Sequence, residues 1–308
     1  VAPSVLNHVI SLYKQALKKV STGEWLEEIP KVEDNPLKIE RFETIDGLKV
    51  QIPYMKKREF DLGQMCISET QIVFEVENQY KDLFDSAHYR MKSFKFMNEK
   101  MANEMMRYLP QPESVFKTKK SHVMILRKTP DQVLLADLIE YLGGRVVPIP
   151  HIGWILNSLY NVACYLQWSG LVHNGISPET VFVSPTKHSC MILGGWWFSK
   201  REGDKLTALP TDLIKFIPSD VIRTKTAKSK TDLELIKATG RAVLGDAVGA
   251  HLKLDKKLPE GIIKWLELPS SGEAVKDYGT WKREVILPVF GPPKFVPMKI
   301  DTQVLYGD

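Results

Sequence analysis

Residues 163–183, ACYLQWSGLVHNGISPETVFV, constrain the fold more than any other stretch, because they pass from the end of a helix through a tight loop into a strand. Upstream, Trp154, Ile155, Leu159, Val162, Ala163 and Leu166 recur at steps of three and four, which predicts a long buried helix over 152–166. Gly170 and the apolar pair Leu171-Val172 follow it. The polar segment 173–180, with Pro178 inside it, then leads into Val181-Phe182-Val183, a short run of strand-forming residues. The rest of the chain is organised around this stretch.

Composition narrows the class. The 308 residues suffice for one bilobal domain or two small ones, and 44% apolar with 26% charged residues is an ordinary globular balance with a sizeable core. The net charge of +5 arises from 42 basic and 37 acidic residues, a slight excess on a large surface, so nucleic-acid binding is not expected. Cys66, Cys164 and Cys190 are far apart and form no C-x-x-C pair, which argues against a zinc site or a disulfide framework. That usage fits a reducing, intracellular (cytoplasmic) compartment. No apolar run approaches the ~20 residues of a membrane span, and the first residues lack a signal peptide's basic start, so no membrane association is expected. A chain beginning at Val1 reads as a processed product or as a piece of a longer protein.

From the start, Val5, Leu6, Val9, Ile10, Leu12, Tyr13, Ala16, Leu17 and Val20 predict an amphipathic helix, with Ser4 as N-cap and Gly23 as its stop. Residues 25–46 read as a linker holding a short strand near 37–42, and Gly47–Met55 as a strand after the Asp46-Gly47 turn. Residues 67–80 alternate around Ile72, Phe74 and Val76 as another strand. Phe84, Ala87, Met91, Phe94, Met97, Met101 and Met105 predict one long helix over 82–108, or two end to end. Residues 114–126 form two strands, Leu134–Ile139 a short helix ended by Gly143-Gly144, and 262–266 and 273–286 helices before the Pro-rich FGPPKFVP.

The central stretch resembles the catalytic loop of the protein-kinase fold. Tyr165, Leu166, Gly170, Leu171, Val172, His173, Pro178, Glu179 and Val181-Phe182-Val183 match a helix, turn and H-R-D-x-K-P-E-N strand entry. Where the family has its Arg, base Asp, Lys and metal-holding Asn, this chain has Asn174, Gly175, Ser177 and Thr180. Met191–Trp196 resembles the metal-binding D-F-G region with Gly194 or Gly195 in place of the Asp, a position that needs a hard anionic oxygen. Between Glu24 and Leu142 the only glycines are Gly47 and Gly63, so no G-x-G-x-x-G phosphate loop exists. The strand lysine is missing as well, and Ile72-Val73-Phe74-Glu75 sets a carboxylate in its place.

The resemblance implies an α+β, protein-kinase-like bilobal fold: 1–46 an N-terminal helix and linker, 47–128 a small antiparallel-sheet N-lobe, and 129–308 a mainly helical, shortened C-lobe with a short tail. Residues 127–130 would be the hinge, and Glu104 would stand near the family's ion-pair glutamate. Pro218 belongs to a counterpart of M-A-P-E that has Ser219 for its acid. Asp232, with Lys230 and Thr231 before it, would hold the backbone of the 173–174 loop. His173, Pro178, Glu179, Pro218 and Asp232 are therefore structural carry-overs, and no residue is catalytic. No metal, no cofactor and no ATP binding is expected. Trp196 and Trp197, which would fill the empty cleft, and the basic run with Lys225, Lys228 and Lys230 are the candidate binding surface for a protein partner.

Three functions are compatible with this resemblance, the third on overall likeness to divergent kinase-like proteins of viral genomes and not on particular residues. The first is a pseudokinase, an inactive domain that scaffolds or regulates another protein. The second is a phosphoryl- or nucleotidyl-transferase with relocated carboxylates, such as Glu179 or Asp204. The third is a structural or assembly component, for instance of a phage-like particle, built on the same fold.

Overall fold

The computed structural model describes residues 38–306, and the helix expected near the start of the chain lies outside them. Strands β1 (Lys38–Glu43) and β2 (Lys49–Tyr54) pair across a turn in which Gly47 adopts φ +85°, open to glycine without steric cost. Then β3 (Lys56–Phe60), β4 (Gly63–Ile67), β5 (Gln71–Glu77), β6 (Pro112–Lys117) and β7 (Ser121–Arg127) build one antiparallel sheet in the order β3-β4-β5-β7-β6. Alternation splits its side chains between two cores. Met65, Ile67, Ile72, Phe74, Val76, Met124 and Leu126 belong to the main one. Cys66, Val73, Val123 and Ile125 meet Phe42 and Ile52 of the β1–β2 pair on the other face. With both faces covered, β7 reads SHVMILR and buries six consecutive residues instead of alternating.

The β3–β4 hairpin is the element the sequence conceals. KKREF carries four charges in five residues and looks like solvated loop. It is an edge strand, where such charges are tolerated because they reach the rim.

Between β5 and β6 run α1 (Lys81–Lys92) and α2 (Glu99–Met105), so the stripe over 82–108 is two helices and not one. They separate at 93–98, and the Asn98 side chain accepts a hydrogen bond from Met101 N at 2.9 Å to cap α2. Phe84, Ala87 and Met91 of α1 are buried, whereas α2 has no fully buried residue.

After β7 come β8 (Val133–Leu134), α3 (Leu135–Tyr141), α4 (His151–Trp168), β9 (Leu171–Val172), β10 (Val181–Ser184), β11 (Ser189–Ile192) and β12 (Lys200–Arg201). Helices α5 (Ser219–Thr224), α6 (Lys230–Val243), α7 (Glu260–Glu267) and α8 (Ala274–Thr280) follow. Helix α8 continues through a π-helical stretch, Trp281–Ile286, into α9 (Leu287–Phe290), and α10 (Thr302–Tyr306) ends the described chain. Helix α4 buries twelve of its eighteen residues because α6, α8 and β11 pack around it. Gly240 lets α6 come this close: a Cβ there would lie 2.8 Å from Leu266 and 3.0 Å from Leu156. Strand β10 pairs with β11 and β8, and β9 with β12, so the loop between β9 and β10 is anchored on both sides. The architecture is α+β, an antiparallel sheet followed by helices.

Candidate functional site

The 173–180 loop is held from beneath by one carboxylate. Asp232, buried in the first turn of α6, accepts hydrogen bonds from His173 N at 2.7 Å and Asn174 N at 2.8 Å. Burial pushes its carboxyl up to about 7, against the pull of these two donors. The His173 imidazole uses both nitrogens: Nε2 donates to Gly194 O at 3.1 Å and Nδ1 accepts from Gly175 N at 3.2 Å. Burial keeps this ring neutral, with its pKa lowered to about 3. Asn174 takes a left-handed φ of 62° and donates from Nδ2 to Phe198 O at 3.1 Å. Thr180 Oγ1 closes the loop by donating to Gly175 O at 2.7 Å and accepting from Ser177 N at 3.0 Å. Gly195, at φ +77°, is required where it is, since a Cβ would sit 2.8 Å from His173 Cε1.

Above this loop lies a cleft of about 480 Å³ between the sheet and the helices. Its sheet wall is Arg58, Phe60, Met65 and Phe74, its floor Gly175–Thr180 with Gly194 and Gly195, and Trp197 stands between them. Trp197 meets Phe74 edge-on at 5.1 Å, stacks on Phe60 at 5.7 Å and faces Phe84 of α1 at 6.4 Å. Trp196 donates from Nε1 to Ile192 O at 2.9 Å and packs against the His173 ring at 4.7 Å. Both tryptophans are buried, with 0% and 1% exposure, and of the two Trp197 lines the cleft. They join the sheet to the helices as core.

Strand parity also corrects the reading of Glu75. Phe74 faces the cleft, whereas the Glu75 carboxylate is on the other side and accepts a hydrogen bond from Ser121 Oγ at 2.7 Å. The carboxylate expected in place of the strand lysine is therefore not turned to the cleft; an apolar ring stands there instead.

Ion pairs clamp the mouth. Asp137 of α3, its side chain fully buried, holds Lys56 Nζ at 2.8 Å and the Arg58 guanidinium of β3. Arg58 also reaches Glu179 at 3.1 Å. Burial raises the Glu179 carboxyl above its ordinary value, opposed by Arg58. Tyr306 adds a tie from α10, its hydroxyl accepting from Leu134 N at 2.8 Å. In the segment joining β7 to β8, Lys128 N bonds Thr70 O at 2.9 Å, Thr129 N bonds Gln132 Oε1 at 2.7 Å and Gln132 N bonds Thr129 O at 3.0 Å. Lys56, Arg58, Asp137 and Tyr306 escaped the sequence reading. An aspartate embedded in the apolar run LLADLI was the one available signal.

His173, Asn174, Gly175, Ser177, Pro178, Glu179, Thr180, Gly194 and Asp232 thus gather in one place, whereas other residues singled out from the sequence do not. Glu104 is exposed on α2. Pro218 starts α5, and Asp204 does not line the cleft. The basic run is no loose loop. Lys228 pairs with Asp220 at 2.6 Å, Leu206 N and Ala227 N bond across to Lys225 O and Asp204 O, Lys225 is exposed, and Lys230 opens α6. Around the cleft, Glu59, Asp61, Glu179 and Asp212 are rim carboxylates, and the floor offers only hydroxyls and backbone. Among the described residues, no group of three or more His, Cys, Asp or Glu is placed to hold a metal ion, and no helix is long and apolar enough to cross a membrane. Neither a protein-family model nor a curated protein matches the sequence.

Proposed function

We propose that the chain is a catalytically inactive, kinase-like domain that works by binding and positioning another protein. The observation that carries the reading is the composition of the cleft floor. Gly175, Thr180 and Gly194 stand where the resemblance calls for the base and the metal ligands, while the scaffold beneath them, Asp232 on the backbone of His173 and Asn174, is kept. Phe74 and Trp197 take the place of charged groups above that floor. Phosphoryl transfer rests on charge neutralisation and proton handling, and the floor positions that the resemblance assigns to the base and the metal ligands carry no acid, while the charged groups of the cleft, Arg58, Lys215 and four carboxylates, stand away from those positions. An antiparallel sheet, a helical part and a long helix feeding the loop agree with the same family. A transferase with relocated carboxylates gains no support from Asp204, which lies off the cleft, or from Glu179, which is tied to Arg58.

The test is ligand-induced stabilisation. A nucleotide at ~100 times its dissociation constant stabilises by about 2.7 kcal/mol, a visible shift in melting temperature for a domain of this size. No magnesium-dependent shift is expected with ATP or GTP. A saturable, magnesium-requiring shift would overturn the reading.

A further inference from the structure

A second cavity, of about 260 Å³, lies against the segment that joins β7 to β8 and shares no lining residue with the cleft. Four of its ten lining residues, Arg107, Arg127, Lys128 and Lys187, are cations, and none is acidic. Lys128 is 3% exposed, an unusual place for a lysine. Its Nζ donates to two carbonyls, Glu69 O at 2.6 Å and Thr129 O at 3.3 Å, and to no carboxylate. Arg127 shares its Nε with Glu113 at 2.8 Å and keeps its outer nitrogens unbonded. Arg107 makes no ion pair, its guanidinium lying 4.8 Å from the Tyr108 ring centre. Lys187 donates its backbone N to Ser184 Oγ at 3.1 Å, while its ammonium forms no hydrogen bond and acts on Asp131 through its charge. Gln132 adds an amide donor that is 5% exposed and has only the Met191 sulfur, at 3.8 Å, as partner.

Asp131 acts on Lys128 and Lys187 by charge alone, its oxygens taken by Thr129, Ser184 and Thr186, so these converging cations outnumber the acids beside them, a costly arrangement. Buried polar groups are nearly always hydrogen-bonded, and a thioether is a weak acceptor for an amide N–H. Gathered positive charge beside a desolvated ammonium is stabilised by a compact anion of more than one charge. The volume selects among anions, being below the ~300 Å³ at which pockets for drug-sized ligands begin. A nucleotide is too large, and one or two phosphoryl groups suit the space. We propose that this cavity binds a compact phosphoryl anion, phosphate or pyrophosphate, free or as the end group of a small ester. Arg107 and Lys187 grip it from the rim, and Lys128 and Gln132 receive it from within. The proposal stands apart from the kinase-like reading and uses none of the cleft residues.

The experiment is calorimetric titration of the whole chain with inorganic pyrophosphate, inorganic phosphate and glycerol phosphate, at ionic strength held constant with chloride. One saturable site is expected. Arg107→Gln and Lys187→Gln, both at exposed positions, should each weaken it about tenfold, the order of one charge-assisted hydrogen bond, with the melting curve in chloride unchanged. Lys215→Gln, in the cleft, should leave it intact. Binding of the inorganic anions alone marks a free anion as the ligand, and binding of glycerol phosphate as well marks an ester. No saturation by roughly 10 mM, persistence of binding in the Arg107/Lys187 double variant, or loss on Lys215→Gln would each overturn the assignment.

Discussion

Replacing Asp232 by alanine removes the one side chain that ties α6 to the central loop. The variant leaves His173 N and Asn174 N, now bonded at 2.7 and 2.8 Å, without acceptors in a site closed to water. An unpaired buried donor costs about 1–3 kcal/mol, so two of them set a range of about 2–6 kcal/mol. Part of this is offset, because the carboxyl removed is itself poorly solvated and its pKa sits at about 7. We expect a net loss of about 2–4 kcal/mol, measured by urea unfolding at pH 7 with the slope unchanged. Glu104→Ala, at an exposed position of α2, is the control and should change stability by less than ~0.5 kcal/mol. The loop has no second acceptor for those two N–H groups, so a loss for Asp232→Ala as small as the control's would refute the argument and, with it, the register assigned to the loop.

Asp137→Ala removes the buried partner of Lys56 and Arg58, leaving them Glu140 at 3.9 Å and Glu179 at 3.1 Å, and should lower stability by about 1–3 kcal/mol while speeding amide exchange in β3; unchanged exchange there would mean that the clamp does not hold the strand. The buried histidines contribute an acid-labile part of the stability, opposed over the same range by Asp232, whose raised carboxyl favours the folded state as pH falls from about 7. Burial lowers His151 to about 4 and His173 to about 3, so the unfolded chain takes up protons first, and stability present above pH ~6.5 is lost as pH falls towards 4. His151→Asn, whose Oδ1 takes the place of Nδ1 as acceptor for the Trp154 Nε1 bond of 2.9 Å, should flatten that slope in pH-dependent unfolding; an equally steep slope would exonerate His151. Restoring Gly175→Asp, Thr180→Asn and Gly194→Asp together should yield no incorporation of radiolabelled phosphate and a lower melting temperature. Phe74, an apolar ring, still stands where the resemblance calls for the strand lysine, and a Cβ at Gly194 meets the backbone of residue 180 at 3.2 Å. Robust labelling would overturn that account of the cleft.

Much of the fold was legible because helices and strands of this chain carry their own periodicity. The apolar steps of α4, the strands of 114–126 and the short helix after them stand in the sequence with nearly their observed bounds. So does the loop, whose Gly170 and Pro178 set local geometry without outside help. The site was legible only in what it lacks: glycines and a threonine at 175, 180 and 194 exclude acids there whatever the packing. Tertiary structure decided the rest. That KKREF is a strand depends on β4 supplying its ladder and Asp137 its counter-charge, eighty residues away in α3. Which of Phe74 and Glu75 faces the cleft depends on a register one residue wide, fixed by the core beneath β5. Trp196 and Trp197 read as surface or core with equal ease, and they are core because α1 and the sheet close over them. The cations of the second cavity converge from α2's end, β7 and the β10–β11 turn, a meeting that no local pattern encodes.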